Sequence, residues 1–279
     1  MPARSKLSDF QQISVLGHGS YVILPKNQKQ ASAALSECHI LASLDTCTHI
    51  VHYYDSFIEG NTLYIVQEFA ENGDLSEYLR RNKESLSRNA IWKFFIQILI
   101  GLDYVHSKRV LHRDLKSLNV FLDSSGNAKL GDFGISKALD QSSAMAQTFI
   151  GTPLYLSPEV AQGRGYTYSS DCWSLGILLF ELCTKRYPFY ADNQAALLIK
   201  ILTQNPEPLP SEFSEFSGIL NSLLVKEAEQ RASTRSLLRD PLVVAKAHQL
   251  GIVLPNLPAE KDSHSPRIKS PSVKGSQVS

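Results

Sequence analysis

The segment from Leu111 to Gly134 constrains the fold more than any other stretch of the chain. It reads Leu111-His112-Arg113-Asp114-Leu115-Lys116-Ser117-Leu118-Asn119, then the apolar run Val120-Phe121-Leu122, a polar turn from Asp123 to Asn127, and Leu130-Gly131-Asp132-Phe133-Gly134. Short apolar runs on either side of such a turn predict a tight hairpin that returns the chain antiparallel to itself. Asp114 and Asn119 on one arm and Asp132 on the other then converge on one point in a cleft.

The rest of the chain divides around this hairpin. Phe10 to Leu16 alternates weakly and runs into Gly17-His18-Gly19-Ser20, and a second extended piece, Tyr21 to Leu24, stops at Pro25. Ala31, Ala34, Leu35, Cys38, Leu41 and Ala42 have the spacing of an amphipathic helix flanked by Glu37. Ile50 to Phe57 and Leu63 to Phe69 read as strands joined by the turn Glu59-Gly60-Asn61. After Asn72-Gly73-Asp74 the pattern turns helical. Ile91, Phe94, Phe95, Ile98, Leu102 and Val105 predict a long helix with one apolar face, whereas Asp171 to Cys183 is apolar on nearly all sides and predicts a buried helix. The fold class is α+β, with a small β-rich first lobe and a larger, mainly helical second lobe. Past about Leu254 the Pro, Ser, Lys and Gly content predicts a disordered tail, whose Ser265-Pro266 and Ser270-Pro271 are candidate targets of proline-directed kinases.

Charge narrows the partners. With 28 Lys+Arg against 27 Asp+Glu the net charge is +1 and no basic cluster stands out, which argues against nucleic acid or a membrane surface. No apolar run is long enough to span a bilayer, and the N-terminus leads into no signal-like segment. Cys38, Cys47, Cys172 and Cys183 have no C-x-x-C spacing and read as reduced core residues of a soluble cytoplasmic protein.

With Gly151-Thr152-Pro153 and Ser157-Pro158-Glu159 following in order, the segments from Leu111 onward match the catalytic and D-F-G loops of protein kinases. The chain resembles the protein kinase superfamily over roughly Phe10 to Leu242. Gly131-Asp132-Phe133-Gly134-Ile135-Ser136-Lys137 and Phe149 to Glu159 are most similar to the NIMA-related serine/threonine kinases. The resemblance implies a two-lobed kinase fold, with residues 1–9 an extension, 10–71 a shortened N-lobe, 72–242 a C-lobe and 243–279 a tail. It implies ATP and Mg²⁺ as cofactors, a protein Ser/Thr hydroxyl as acceptor, and a cytoplasmic location with cytoskeletal association by family analogy.

Residue by residue, the resemblance makes Asp114 the base for the substrate hydroxyl, Lys116 the cation facing the phosphoryl group, and Asn119 and Asp132 the Mg²⁺ ligands. Lys116 and Thr152 imply serine/threonine specificity. Backbone groups of Glu68 and Ala70 would meet adenine, Asp74 the ribose, and Gln67 falls at the gatekeeper position. Thr148 becomes an activation-loop phosphosite, filled by an upstream kinase or by autophosphorylation and read by Arg113. Glu159 and Arg231 resemble a buried ion pair, and Asp171 resembles the residue that bonds the catalytic loop.

The N-lobe departs from the pattern. Gly17 and Gly19 stand where the glycine loop begins to cover ATP, but its third glycine is absent. Leu24 occupies the place of the ATP-binding lysine and Lys26 follows two positions later, past Pro25. Only about 20 positions separate Gly17 from Glu37, one strand fewer than a full lobe needs. Three readings stay open: an active kinase in which Lys26 contacts ATP, a pseudokinase or scaffold with impaired ATP binding, and a splice form or gene model lacking one strand.

Overall fold

The computed structural model describes residues 6–11, 42, 44, 47–60, 62–133 and 153–257. Gly17, Gly19, Lys26, Glu37, Cys38, Gly134, Thr148 and Thr152, with the strands and helix expected before residue 42, lie outside the described residues.

Two antiparallel strands, β1 (Tyr53–Glu59) and β2 (Thr62–Gln67), form the described part of the first lobe. β1 begins three residues after its predicted start, because Ile50 and Val51 turn away to pair with Leu130, and β2 ends two residues before its predicted end. Gly60 holds the tight turn between the strands with φ +61°, a backbone shape that costs glycine no side-chain clash. Phe10 stacks on Phe57, and the Leu7 N–H donates to the Glu59 carboxylate at 2.8 Å, so the segment before the lobe is docked on β1.

The second lobe carries helices α1 (Leu75–Arg81), α2 (Arg88–Ser107), α3 (Pro158–Ala161), α4 (Tyr168–Thr184), α5 (Gln194–Thr203), α6 (Ser217–Leu223), α7 (Thr234–Leu238) and α8 (Pro241–Gln249). Strands β3 (Val120–Leu122) and β4 (Ala128–Leu130) pair antiparallel as the predicted hairpin. Asp74 caps α1 by accepting from the Glu77 N–H at 2.8 Å, and Ser87 caps α2 through Ala90.

α2 differs from its predicted single apolar face. Every residue from Phe94 to Asp103 is buried, because α4, α7, α8 and β4 pack around it. Gln97 is buried among these apolar residues with both ends of its amide used: Nε2 donates to Asn127 and Oε1 accepts from the Ala128 N–H. That pair of bonds fixes the β3–β4 hairpin to the helix. Gly101 brings α2 against the hairpin's flank, where a Cβ would lie 2.7 Å from the His49 carbonyl oxygen.

α4 is buried without a break from Ser170 to Cys183, as predicted. Cys172 and Cys183 are free thiols, and burial pushes each up to about 12, consistent with inert core residues. The packing continues past the expected domain end at residue 242. Val243 and Ala247 of α8 are buried in the main core, and Leu250, Ile252, Leu254 and Leu257 pack against it. Apolar residues at helical spacing hold this segment down, although the composition changes only a few residues later. Residues 258–279 lie outside the described part. Among the described residues, no helix is long and apolar enough to cross a membrane.

Candidate active site

The catalytic loop is short of regular structure, so its shape must be imposed from outside. Asp171, fully buried near the start of α4, imposes it: Oδ2 accepts from the His112 N–H at 2.9 Å and Oδ1 from the Arg113 N–H at 3.0 Å. His106 and Tyr166 complete its shell at 2.9 and 2.6 Å. Burial alone would raise the Asp171 carboxyl, but the His106 bond and the surrounding donors hold it below the usual range. These anchors stabilise a left-handed backbone at Arg113, φ +66°, which a long side chain seldom adopts unaided.

Beyond Arg113 the loop presents its polar residues to one point. Lys116 Nζ lies 2.8 Å from Asp114 Oδ2. Asn119 Nδ2 donates to the same oxygen at 2.9 Å, to the Asp114 carbonyl at 2.8 Å, and at 3.5 Å to the carbonyl of Asp132. The four residues predicted as the chemical centre are thus joined in one network. Asp132 itself sits with φ +46°, a conformation Asp tolerates better than most residues.

The electrostatics suit a cation. Burial raises the Asp132 carboxyl, the nearby Asp114 raises it further, and bonds from Gln67 and the charge of Lys116 only partly oppose this. A carboxylate disfavoured by burial and by a neighbouring Asp114 is one whose charge a hard divalent ion relieves, with the Asn119 amide as a further oxygen source. The residues present therefore fit Mg²⁺.

His112 is fully buried, burial lowers its pKa, and its ring lies against Phe133 at a 30° tilt with centroids 4.8 Å apart. The ring seats the aromatic residue next to Asp132.

The connection to the first lobe also engages the Glu68 side chain, on which the sequence carried no expectation. Its N–H donates to the His52 carbonyl at 2.8 Å, and its carboxylate takes Lys129 Nζ at 2.6 and 2.8 Å and the His52 N–H at 3.0 Å. The Ala70 carbonyl closes a turn with the Gly73 N–H. The Glu68 N–H and the Ala70 carbonyl are thus both engaged within the chain. Asp74, expected at the ribose, has one oxygen engaged as the α1 cap.

Two supports appear as expected, and others were missed. Arg231 forms a two-pronged bond to Glu159 at 2.9 and 3.0 Å, with side-chain exposures of 0% and 5%. Gln97, Lys129, Tyr155, Tyr166 and Glu181 were not singled out from the sequence. A charged or amide residue inside an apolar helical run, as at Gln97 and Glu181, was the available signal.

The model of the protein kinase domain matches residues 22–243. The chain belongs to the protein kinase family. Its relatives are serine/threonine-protein kinases of the NIMA-related type. It is 36% identical to Nek5 of Mus musculus over 85% of this chain and 41% of that protein. It is 39% identical to Nek5 of Homo sapiens, over 79% of this chain and 31% of that one. It is also 36% identical to Nek3 of Mus musculus, over 83% and 49%. The chain therefore spans less than half the length of these relatives. The family match begins at Val22, past the two glycines of the shortened loop.

Proposed function

We propose that this protein is a serine/threonine kinase that moves the γ-phosphoryl group of ATP to a protein hydroxyl. The observation that carries the reading is the bonded cluster of Asp114, Lys116, Asn119 and Asp132. Asp114 orients the acceptor hydroxyl and takes its proton as the oxygen attacks phosphorus, while the bond to ADP breaks. Lys116 neutralises charge on the transferring group. Asp132 and Asn119 would hold Mg²⁺, which when bound offsets the negative charge of the phosphates. Hydroxyl specificity for Ser and Thr rests on Lys116 and on the relatives being serine/threonine-protein kinases.

The Glu68 carbonyl and Ala70 N–H bind adenine, and Asp74 approaches the ribose with the carboxylate that also caps α1. Gly17, Gly19 and Lys26 cover and pair the phosphates in the shortened lobe. Phosphate on Thr148, from an upstream kinase or from the protein itself, is read by Arg113. The acceptor is a protein Ser/Thr hydroxyl, and the kinase itself acts in the cytoplasm, with cytoskeletal association resting on family analogy alone. The unbroken cluster weighs against the scaffold alternative.

Thermal unfolding of the purified chain with millimolar ATP, with and without Mg²⁺, tests nucleotide binding, since a ligand bound to the native state raises Tm by mass action. A Mg²⁺-dependent rise is expected, together with phosphorylation of casein that Asp114→Asn abolishes. No rise, or full activity in the Asp114→Asn variant, overturns the reading.

A further inference from the structure

A cavity of about 890 Å³ lies where α2, the turn between β3 and β4, and the chain after α8 meet. Phosphoryl transfer makes no use of it. Its lining is of two kinds: Lys93, Lys129 and His49 supply nitrogen, while Leu250, Ile252 and Val253 supply apolar surface. Val253 is 88% exposed, so its side chain meets mostly solvent.

The nitrogen groups converge. Lys93 Nζ donates to the Gly126 carbonyl at 2.9 Å and, among the described residues, has no carboxylate partner. Lys129 is shared with Glu68. His49 Nδ1 donates to the Ala128 carbonyl at 3.1 Å, which leaves Nε2 for another partner. Burial lowers the His49 pKa, and the charges of Lys129 and Lys93 lower it further, so both ammonium groups are felt at the ring. Asp123, also in the lining, spends its carboxylate inside its own turn, accepting from the Ser125 and Asn127 N–H groups at 2.9 and 2.8 Å. A cavity with this balance suits a phosphate monoester carried on a partly apolar peptide, since ammonium groups bind such a dianion by charge-assisted hydrogen bonds.

The chain itself carries a peptide of that kind. Ser265-Pro266-Arg267-Ile268-Lys269-Ser270-Pro271 sets two Ser-Pro sites around one apolar residue. Unmodified, residues 258–279 hold Lys261, Arg267, Lys269 and Lys274 against Glu260 and Asp262, a sign that the two lysines of the cavity repel. Two phosphates add about three to four negative charges and invert it. Leu257 packs on the core just past the lining residues, and the eight residues from there to Ser265 span up to about 28 Å. A tether this short gives an effective concentration on the order of millimolar.

We propose that the segment Ser265–Pro271, phosphorylated on Ser265 and Ser270, docks in this cavity, with its phosphates on Lys93, Lys129 and His49 and Ile268 against the apolar lining. Because Lys129 also bonds Glu68, the docked tail draws on the ion pair that reaches the connector between the lobes.

A fluorescein-labelled synthetic peptide of residues 261–274, with phosphoserine at 265 and 270, titrated into the full unphosphorylated chain and followed by anisotropy, tests this. It should bind at least about tenfold more tightly than the same peptide without phosphate, and than a phosphopeptide of the same composition in shuffled order. Lys93→Met should weaken binding about tenfold and Lys93→Arg should retain most of it. Val253→Asp, at a side chain too exposed to affect folding, should weaken it as well. Hydrogen exchange from Asp123 to Asn127 and from Leu250 to Val253 should slow when the phosphopeptide binds. Absence of binding, or binding that both Lys93→Met and Val253→Asp leave unchanged, overturns the proposal. Equal or tighter binding of the shuffled phosphopeptide overturns it too, by giving the cavity to a phosphorylated partner instead of the tail. The measurement needs no turnover, so it stands apart from the kinase reading.

Discussion

Lys129 Nζ bonds both carboxylate oxygens of Glu68, at 2.6 and 2.8 Å, joining the strand that leads into Asp132 to the chain leaving β2. The bond crosses from the hairpin of the second lobe to the connector proposed to meet adenine. It is also partly exposed, at 15% and 24% of the two side chains, so its contribution to global stability is small, at most about 1 kcal/mol.

Lys129→Met should therefore affect nucleotide binding more than folding. KM for ATP is expected to rise several-fold, with kcat within about twofold and Tm nearly unchanged. Steady-state kinetics over a range of ATP concentrations measures this, and an unaltered KM would show that the connector holds its position without the ion pair.

Asp132 provides a case in which function opposes stability. Its carboxyl is held above the ordinary aspartate range in the folded chain, first because it is buried and then because Asp114 is close. The native state thus binds the proton more tightly than the unfolded state, so ionised Asp132 costs stability at neutral pH. That cost disappears as pH falls through the folded value. Asp132→Asn should raise Tm at pH 7, lose most of this advantage near pH 4, and abolish the Mg²⁺-dependent response to ATP. Melting curves across pH decide it; a lower Tm at pH 7 would mean the carboxylate has stronger partners than the geometry indicates.

The Glu159–Arg231 pair should behave as a buried one. Burial alone would raise Glu159, yet the Arg231 bond and that from Ser170 bring it below the usual value. Arg231→Met leaves this charge without its partner and is expected to cost about 3–5 kcal/mol in urea denaturation. The double variant Glu159→Gln/Arg231→Met should recover part of the loss. A single-variant cost under about 1 kcal/mol would refute the assignment.

Gly101→Ala tests the seam between α2 and the hairpin. Its Cβ would stand 2.7 Å from the His49 carbonyl, backbone that also accepts the Leu130 N–H at 2.9 Å and so cannot easily retreat. The expected loss is about 1–3 kcal/mol. Gly218→Ala, with nothing within 4 Å of the added carbon, should stay within about 0.5 kcal/mol of the parent. Equal effects at the two sites would rule out close packing as the cause.

The sequence alone determined the parts whose signal is local. The order of Asp114, Lys116, Asn119 and Asp132 around two short apolar runs required a hairpin that returns them to one place. The apolar run in α4 required a buried helix, because no polar face was available to meet water.

What only the tertiary structure decided depends on partners far apart in the chain. Nothing near Glu68 indicates that its side chain meets Lys129, 61 positions on, or that Ser117 shares Glu181 with Tyr155 and Tyr187. Burial on all sides of α2 arose because four elements close around it, where periodicity shows only the average preference of one helix. Hydrophobic pattern specifies which faces are buried, whereas the pairing of a buried polar atom is fixed only when distant segments are brought within hydrogen-bond reach.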